Sequence, residues 1–299
     1  MRVDPTYISN LVSALNDVTS RQQHFSTQLA SGMRINALSD DPAAAGKNVL
    51  LLNQMQRDDA FTQTSNLVTG HLQVADSALG SVVAQLNRAI ALATSANNGT
   101  KNASDVKAIA NQLSGILGEV ESLANSSYQG QYIFAGGQTN TQPFSTSNAT
   151  SPAVTIYTGD SNVNYLDTPN GQTIQLNVPG DQIFLGVQSV FGVLNSLIAE
   201  FSAGNAGSPQ AVQDTNALSG ALNFVSQQRV LIDNSITQLS AASAGITSEK
   251  AQLSAAQTDL MQADLPTLAT QLSQAKTQQT ALESVIVQLG SGSLFDKLQ

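Results

Sequence analysis

Apolar side chains recur at alternating intervals of three and four residues at both ends of the chain. Near the start, the repeating positions are Ile8, Leu11, Leu15, Val18, Gln22, Phe25 and Leu29. Near the finish, they are Met261, Leu265, Leu268, Leu272, Ala275, Gln279, Leu282, Ile286 and Leu289. This spacing is typical of helices that pack along a narrow apolar stripe, as in a coiled coil. We call these stripes the terminal seams and expect a long helix at each end.

Two further helical stretches are predicted where the chain has no proline. In the first, the same spacing covers residues 68–89 and 106–124, and the polar cluster NNGTKNAS at 97–104 interrupts it. This pattern predicts a helix, a turn and a returning helix. In the second, one register extends through residues 218–260, which predicts a single long helix.

Residues 131–185 have a different character. Four of the eight prolines lie there, and short runs typical of strands occur at 132–134, 154–157, 173–178 and 183–185. Glycine-containing turn signals separate these runs. We therefore expect a small β-rich unit inserted between helices.

Two matching breaks set off the terminal seams from the rest of the chain. Asp41 precedes Pro42, and Asp264 precedes Leu265 and Pro266. Each combination offers an N-cap and an early-turn proline to the helix that follows. We therefore expect the two terminal segments to lie side by side as one discontinuous unit, joined to the middle of the chain at Asp41, Pro42, Asp264 and Pro266.

These patterns predict a mainly α fold: an elongated coiled coil or helical bundle, formed by paired N- and C-terminal segments, with a small inserted β-rich domain. The chain is expected to divide into three parts. They are a terminal coiled-coil polymerisation core at 1–41 and 265–299, a helical bundle at 42–131 and 186–264, and a β-rich outer domain at 132–185.

Composition excludes several classes of function. The net charge of -9 argues against nucleic acid or an anionic membrane as a partner. The absence of cysteine excludes disulfides, thiolate nucleophiles and cysteine-based zinc sites. No apolar run is long enough for a membrane span, and Asp4 and Pro5 interrupt the region where a cleavable signal peptide needs an apolar stretch.

The candidate chemical motifs are weak. The segment AAAGKN at 43–48 is similar to the end of a phosphate-binding loop, but it lacks the preceding glycine and the final Ser or Thr. His24 and His71 are distant in sequence and have no third nitrogen or sulfur ligand. The acidic pairs at 40–41 and 58–59 lack calcium-loop spacing. We therefore expect no enzyme activity, no cofactor and no metal.

Three segments carry a resemblance to a known family. Residues 28–45, QLASGMRINALSDDPAAA, and residues 264–298, DLPTLATQLSQAKTQQTALESVIVQLGSGSLFDKL, resemble the paired termini of the flagellin superfamily of bacterial flagellar axial proteins. The segment GQYIFAGGQTNTQPF at 130–144 and the SDDP at 39–42 resemble the junction members of that superfamily more than its flagellins. Met33 stands where a basic residue is common in junction members, and Phe295 replaces one leucine of the usual double-leucine ending.

The resemblance implies a structural subunit rather than an enzyme. Such a subunit is exported without a cleavable signal peptide by the flagellar type III apparatus, with a cytoplasmic chaperone. It is then assembled outside the cell as a homo-oligomeric ring between the hook-side junction protein and flagellin. Neither nucleic acid nor membrane is an expected partner.

Subunit contacts are expected along the terminal seams, because two helices bury only part of each stripe. The candidate interface residues are Ile8, Leu11, Leu15, Val18, Phe25, Leu29, Leu268, Leu272, Leu282, Ile286, Leu289, Leu294 and Phe295. Two alternatives stay open. One is a short flagellin that forms the filament itself, and the other is a secreted coiled-coil adhesin or effector.

Overall fold

The computed structural model describes residues 5–147, 151–169, 171–186 and 189–295. Its chain divides into two compact units. The terminal unit comprises Met1–Arg57 and Ser248–Gln299, and the central unit comprises Asp58–Thr247. Both boundaries fall inside long helices, whereas the sequence predicted breaks near residues 41 and 265.

Helices make up most of the described chain, so the prediction of a mainly α fold with a small β-rich part is confirmed. The helices are α1 (Pro5–Ser31), α2 (Pro42–Asn97), α3 (Ala103–Ala124), α4 (Val190–Ser202), α5 (Pro209–Met261) and α6 (Leu265–Phe295). The predicted hairpin is present as α2, a turn and α3. The predicted long helix is α5, and α4 precedes it as a separate helix that the sequence did not predict.

Six short strands form three separate antiparallel pairs. They are β1 (Ser127–Tyr128) with β2 (Gln131–Tyr132), β3 (Phe144–Ser147) with β4 (Val154–Tyr157), and β5 (Tyr165–Asp167) with β6 (Thr173–Gln175). The predicted strand at 154–157 is β4, and the predicted run at 173–178 begins with β6. Only Tyr132 of the run at 132–134 lies in a strand.

The strand predicted at 183–185 is wrong. Residues Asp181–Leu185 form a π-helical turn instead. Ile183 and Phe184 are both fully buried although they are adjacent. Neighbouring side chains of a strand point to opposite faces, so the helical turn brings both into one core more readily than a strand does.

The core of the central unit combines the helical seams with aromatic side chains from the β-rich segment. Leu79 and Leu86 of α2 and Leu113 of α3 have no exposed surface, and they belong to the same apolar cluster as Phe144. The Phe144 ring lies 5.3 Å from that of Phe184 and 5.2 Å from that of Phe191, measured between ring centres. The segment predicted as an outer domain therefore shares its core with the helices.

Hydrogen bonds fasten the β-rich segment to the end of α3. The Asn125 side chain donates from Nδ2 to the Phe144 carbonyl, and the Phe144 N–H donates to Asn125 Oδ1, both at 2.9 Å. The Asn125 side-chain amide thus bonds to both the N–H and the carbonyl of Phe144, as the backbone of a neighbouring strand would. This pair of bonds satisfies buried backbone groups that would otherwise cost free energy.

Within the terminal unit, α1 and α6 pack against each other. The end of α1 lies beside the start of α6: just after α1 and just before α6, the Ala263 N–H donates to the Gly32 carbonyl at 3.0 Å. The two helices therefore run antiparallel. The first turns of α2 and the last turns of α5 also meet in this unit, where Gln257 Nε2 donates to Asn48 Oδ1 at 2.8 Å.

Candidate assembly interface

A tight turn ends α1 and begins the connection to α2. Gly32 has φ +69°, in the left-handed region that favours glycine, and its N–H donates to the Gln28 carbonyl at 2.9 Å. This geometry is the usual way in which a glycine ends a helix. The buried Gln28 side chain then donates to the Arg34 carbonyl. The turn therefore directs the chain back across the end of α1.

Backbone pairing joins this connection to the end of α5. Met33 and Gln262 form an isolated antiparallel bridge, and the Arg34 N–H donates to the Met261 carbonyl at 2.7 Å. Together with the bond from Ala263 to Gly32, these contacts tie residues 32–34 to residues 261–263. We call these paired segments, with Asp40, Asp41 and Asp264, the joint.

The side chain of Arg34 adds two contacts to the joint. Its Nη1 lies 3.2 Å from Asp41 Oδ2, and its Nη2 donates to the Leu260 carbonyl at 3.3 Å. The Arg34 and Asp41 side chains are both partly exposed, so their ion pair contributes little free energy. Its effect is geometric, because one guanidinium links the start of α2 to the end of α5.

Carboxylates hold the remaining turns of the joint. Asp40 Oδ2 accepts from the N–H groups of Asn36 and Ala37, each at 2.9 Å, and Asp41 Oδ1 accepts from the Ala44 N–H at 3.0 Å. The bonds from Asn36 and Ala37 lower the pKa of Asp40, and the bond from Ala44 followed by that from Arg34 lowers the pKa of Asp41. Both carboxylates are therefore held in the ionised form.

Asp264 repeats this arrangement at the start of α6. Its Oδ2 accepts from the Thr267 hydroxyl at 2.6 Å and its Oδ1 from the Thr267 N–H at 3.3 Å, and these bonds lower the pKa of Asp264. Asp41 and Asp264 thus cap α2 and α6 as the sequence predicted. Pro42 is the first residue of α2, and Pro266 is the second residue of α6.

The terminal seams lie along the pair of α1 and α6, but only part of each seam is covered. Val18 and Leu268 are buried, whereas Ile8 is 41% exposed and Leu29 is 39% exposed. The other described members of the predicted interface are half-buried; they are Leu11, Leu15, Phe25, Leu272, Leu282, Ile286 and Leu289. The side chains of Leu294 and Phe295 lie outside the described residues.

Further apolar side chains near the interface were missed because they fall outside the seam register. On the terminal helices these are Tyr7 at 51% exposure, Val12 at 42% and Val287 at 68%. Beside the joint, Leu38 is 70% exposed and Leu50 is 69% exposed. A signal was available in the sequence for Tyr7, Val12 and Val287, because each is a large apolar residue on a helix face that heptad counting assigns to solvent.

The residues considered for chemistry are dispersed. His24 lies in the terminal unit, where its Nδ1 is 3.8 Å from Asp40 Oδ1. His71 lies in the central unit, packed edge-on against Tyr128, and burial lowers its pKa. Among the described residues, no group of three His, Asp or Glu side chains could hold a metal ion.

None of the helices in the described ranges is both long enough and apolar enough to span a bilayer.

Comparisons with known proteins bear on both units. The model of the bacterial flagellin N-terminal helical region matches residues 6–139. Flagellar hook-associated protein 3 of Escherichia coli K12 is 26% identical to this chain over 237 residues, which cover 72% of this chain and 73% of the relative. Over most of its length the chain therefore resembles hook-associated protein 3.

Two further proteins named hook-associated protein 3 are similar to this chain. The protein from Salmonella typhimurium LT2 is 27% identical over 179 residues, which cover 60% of this chain and 55% of the relative. The crystal structure of hook-associated protein 3 from Legionella pneumophila superposes with a TM-score of 0.64 at 14% identity, covering 71% of this chain and 98% of that chain. At this identity the structural likeness concerns the fold.

The matched regions include the features that the sequence singled out. The flagellin model covers α1, the connection to α2, α2 itself and α3, and it extends to residue 139. It therefore contains the segment 28–45 and most of the segment 130–144. In this chain, the first of these segments forms the tight turn and the N-terminal half of the joint.

Proposed function

We propose that this chain is a structural subunit of the bacterial flagellum that forms a ring between the hook-side junction protein and the flagellin filament. Its similarity to flagellar hook-associated protein 3 relatives supports a flagellar junction role. The subunit acts mechanically and not as an enzyme. It is exported by the flagellar type III apparatus without a cleavable signal peptide, in company with a cytoplasmic chaperone, and works outside the cell.

The observation that carries this proposal is the incomplete cover of the terminal seams. In the single chain, α1 and α6 cover one side of each other's apolar stripe, while Ile8 and Leu29 of the α1 seam stay exposed, as does Val287 beside the α6 seam. Large exposed apolar surface on a protein indicates a contact with another molecule. In the proposed ring, the terminal helices of neighbouring copies cover these side chains.

The interface residues have graded roles in this proposal. Val18 and Leu268, which are buried within the chain, hold α1 and α6 together. The half-buried members, Phe25 and Ile286 among them, contact both the partner helix and the neighbouring subunit. Leu294 and Phe295, which the resemblance assigns to the outermost contacts, extend the same stripe along the sequence.

A short flagellin is the second candidate function. The match of residues 6–139 to the flagellin N-terminal helical region favours it. A flagellin polymerises with itself into long filaments, whereas a junction subunit stops at a ring and accepts a different protein above and below it.

Two measurements separate the two functions. Purified full-length chain is mixed with ammonium sulfate seeds and inspected by electron microscopy, and the junction role predicts no long filaments of this chain alone. In cells, gold-labelled antibody against the chain is expected in one band where the hook meets the filament. Labelling along the whole filament, or long filaments from the purified chain, would show that it is a flagellin.

A further inference from the structure

The turn between α2 and α3 carries the sequence Asn98-Gly99-Thr100. All three residues are exposed and follow the last residue of α2, Asn97. Gly99 has φ +74°, and apart from its chain neighbours Asn98 and Thr100 none of the described residues places an atom within 4 Å of the position that a Cβ would take there. The backbone on the carboxyl side of Asn98 is therefore open and unshielded.

An asparagine followed by glycine is chemically labile. The backbone nitrogen of the next residue can attack the side-chain carbonyl carbon Cγ of the asparagine and close a five-membered imide ring. A side chain on the following residue hinders this approach, and glycine has none. Ring closure also requires the backbone to rotate out of its resting conformation. An exposed turn permits this rotation more readily than a packed one.

The structure places an activating group on the amide that would react. The Thr100 hydroxyl donates to Asn98 Oδ1 at 3.0 Å. A donor on this oxygen withdraws electron density from Cγ and stabilises the negative charge that develops on the oxygen during attack. Gly99 thus provides the nucleophile and Thr100 the electrophilic assistance for the same amide.

The neighbouring Asn97 lacks this combination. The Asn97 amide is anchored, because its Nδ2 donates to the Ala211 carbonyl at 3.2 Å and to Thr215 Oγ1 at 2.9 Å. Its Oδ1 also accepts from the Gly207 N–H at 2.9 Å. These bonds hold the Asn97 side chain against the start of α5, away from its own backbone.

The chain contains a second Asn-Gly pair, Asn170-Gly171, which serves as an internal comparison. Gly171 also has a positive φ, of +77°, but its N–H donates to the Thr168 carbonyl at 2.9 Å. A nitrogen engaged in this turn must break its hydrogen bond before it can attack. The two pairs share their chemistry and differ in the surroundings of the glycine nitrogen.

We propose that Asn98 is a self-processing deamidation site of the folded protein. The Gly99 nitrogen forms a bond to Asn98 Cγ, the bond from Cγ to Nδ2 breaks, and ammonia leaves with the proton that the Gly99 nitrogen loses. Water then opens the imide at either carbonyl. The product at position 98 is aspartate or isoaspartate, and no oxidant or reductant takes part.

The new carboxylate alters the end of α2. The last carbonyl groups of a helix carry partial negative charge, so an anion immediately after Asn97 is repelled. Isoaspartate also inserts an extra atom into the backbone of the turn. Each molecule therefore acquires with age a permanent mark at the connection between α2 and α3.

The test uses purified full-length protein incubated in mildly alkaline buffer, with both Asn-Gly peptides followed by mass spectrometry. Asn98 is expected to convert several-fold faster than Asn170 in the folded protein, and the two rates are expected to converge in denaturant. Equal rates in the folded protein, or faster conversion of Asn170, would overturn the proposal. So would a rate difference that persists unchanged in denaturant, because it would then arise from sequence alone.

Three variants isolate the contributing groups. Gly99→Ala and Thr100→Val are expected to slow conversion at Asn98, whereas Thr100→Ser keeps the hydroxyl and is expected to keep the rate. An unchanged rate in Thr100→Val would show that the hydroxyl has no part in the reaction. The triplet is also an Asn-x-Thr sequence, and carbohydrate found on Asn98 in protein from the native cell would overturn the proposal by blocking the amide.

Discussion

The two units of the molecule differ in how completely each buries its own apolar side chains. In the central unit, large side chains such as Phe144, Leu86 and Leu113 have no exposed surface. In the terminal unit, the best-covered seam residues are Val18 at 4%, Ala275 at 6% and Leu268 at 7%, and most others are half-buried. The central unit thus completes a core within one chain, whereas the terminal unit leaves apolar side chains partly exposed.

Charge separates the same two units. The terminal unit has nine acidic and eight basic residues, a net charge of -1, and the central unit has twelve acidic and four basic residues, a net charge of -8. Near-neutral surfaces approach one another without strong repulsion, while a high net charge of one sign opposes association. This charge distribution agrees with the proposed assembly through the terminal unit.

The sharpest test of this difference places a charge on each terminal seam. Phe25→Glu and Ile286→Asp are each expected to abolish assembly, because a carboxylate buried at a subunit contact costs several kcal/mol and the cost recurs at every interface. Melting of the central unit is expected to stay unchanged. Filament attachment in cells and thermal melting of the monomer measure the two effects on the same variants.

Matched changes at exposed positions control for charge alone. Ser26→Glu on α1 and Ser284→Asp on α6 add the same charges one or two residues away, at exposed positions. These variants are expected to assemble. Normal filament attachment by Phe25→Glu, or a large fall in the monomer's melting temperature, would mean that the seams are assigned to the wrong contacts.

The converse test removes a ring from the central core. Phe184 has no exposed surface, and its ring lies 5.5 Å from those of Phe134 and Phe191. Phe184→Ala is expected to lower the free energy of unfolding by about 3–5 kcal/mol. For a unit of this size, that loss is a fall in melting temperature of roughly 6–20 °C.

Tyr165→Ala removes an aromatic ring that is 59% exposed and is expected to change the melting temperature little. A small effect of Phe184→Ala as well would show that the β-rich segment is independent of the helical core.

A smaller effect is expected at the ion pair between α2 and α5. Arg229 Nε donates to Asp76 Oδ1 at 2.8 Å and Arg229 Nη2 to Asp76 Oδ2 at 3.1 Å. The two parallel hydrogen bonds give this ion pair a favourable geometry, but both side chains are partly exposed. Asp76→Asn is therefore expected to lower the unfolding free energy by about 1 kcal/mol. Chemical denaturation measures this loss. Asp233→Asn, at an exposed neighbouring position, is the control. If Asp233→Asn lowers the unfolding free energy as much as Asp76→Asn does, the effect arises from net charge and not from the ion pair.

Residue spacing predicted the parts of the fold that depend on local pattern. The terminal helices, the hairpin of α2 and α3, and the caps at Asp41 and Asp264 follow from apolar periodicity and from short-range bonds. The backbone pairing of the joint could not be predicted from local pattern, since it joins residues 33–34 near one end of the chain to residues 261–262 near the other. The π-helical turn at Asp181–Leu185 was missed because a short apolar run does not distinguish a strand from a helix.

A fall in pH is expected to have the smallest effect of these tests, and it acts on the two units in opposite ways: it destabilises the joint and reduces the charge repulsion within the central unit. The pKa values of Asp40, Asp41 and Asp264 are lowered by hydrogen bonds that exist only in the folded joint. A carboxyl whose folded pKa lies below its unfolded value stabilises the fold above the unfolded pKa, near 4, and this contribution is lost as the pH falls through the folded pKa. Below about pH 4 we therefore expect the joint to loosen.

Acid also adds protons to the central unit, which reduces the magnitude of its net charge of -8 and so relieves its self-repulsion. Asp160 is the local exception there, because bonds from Gly137 and Asn162 lower its pKa. Hydrogen exchange between pH 5 and 3, corrected for the intrinsic pH dependence of exchange, is expected to show protection lost first at residues 34–44 and 261–268. Asp41→Asn and Asp264→Asn are expected to weaken that protection already at neutral pH and to flatten its pH dependence. Loss of protection in α3 and α4 before the joint would reverse the order of stability that we infer for the two units.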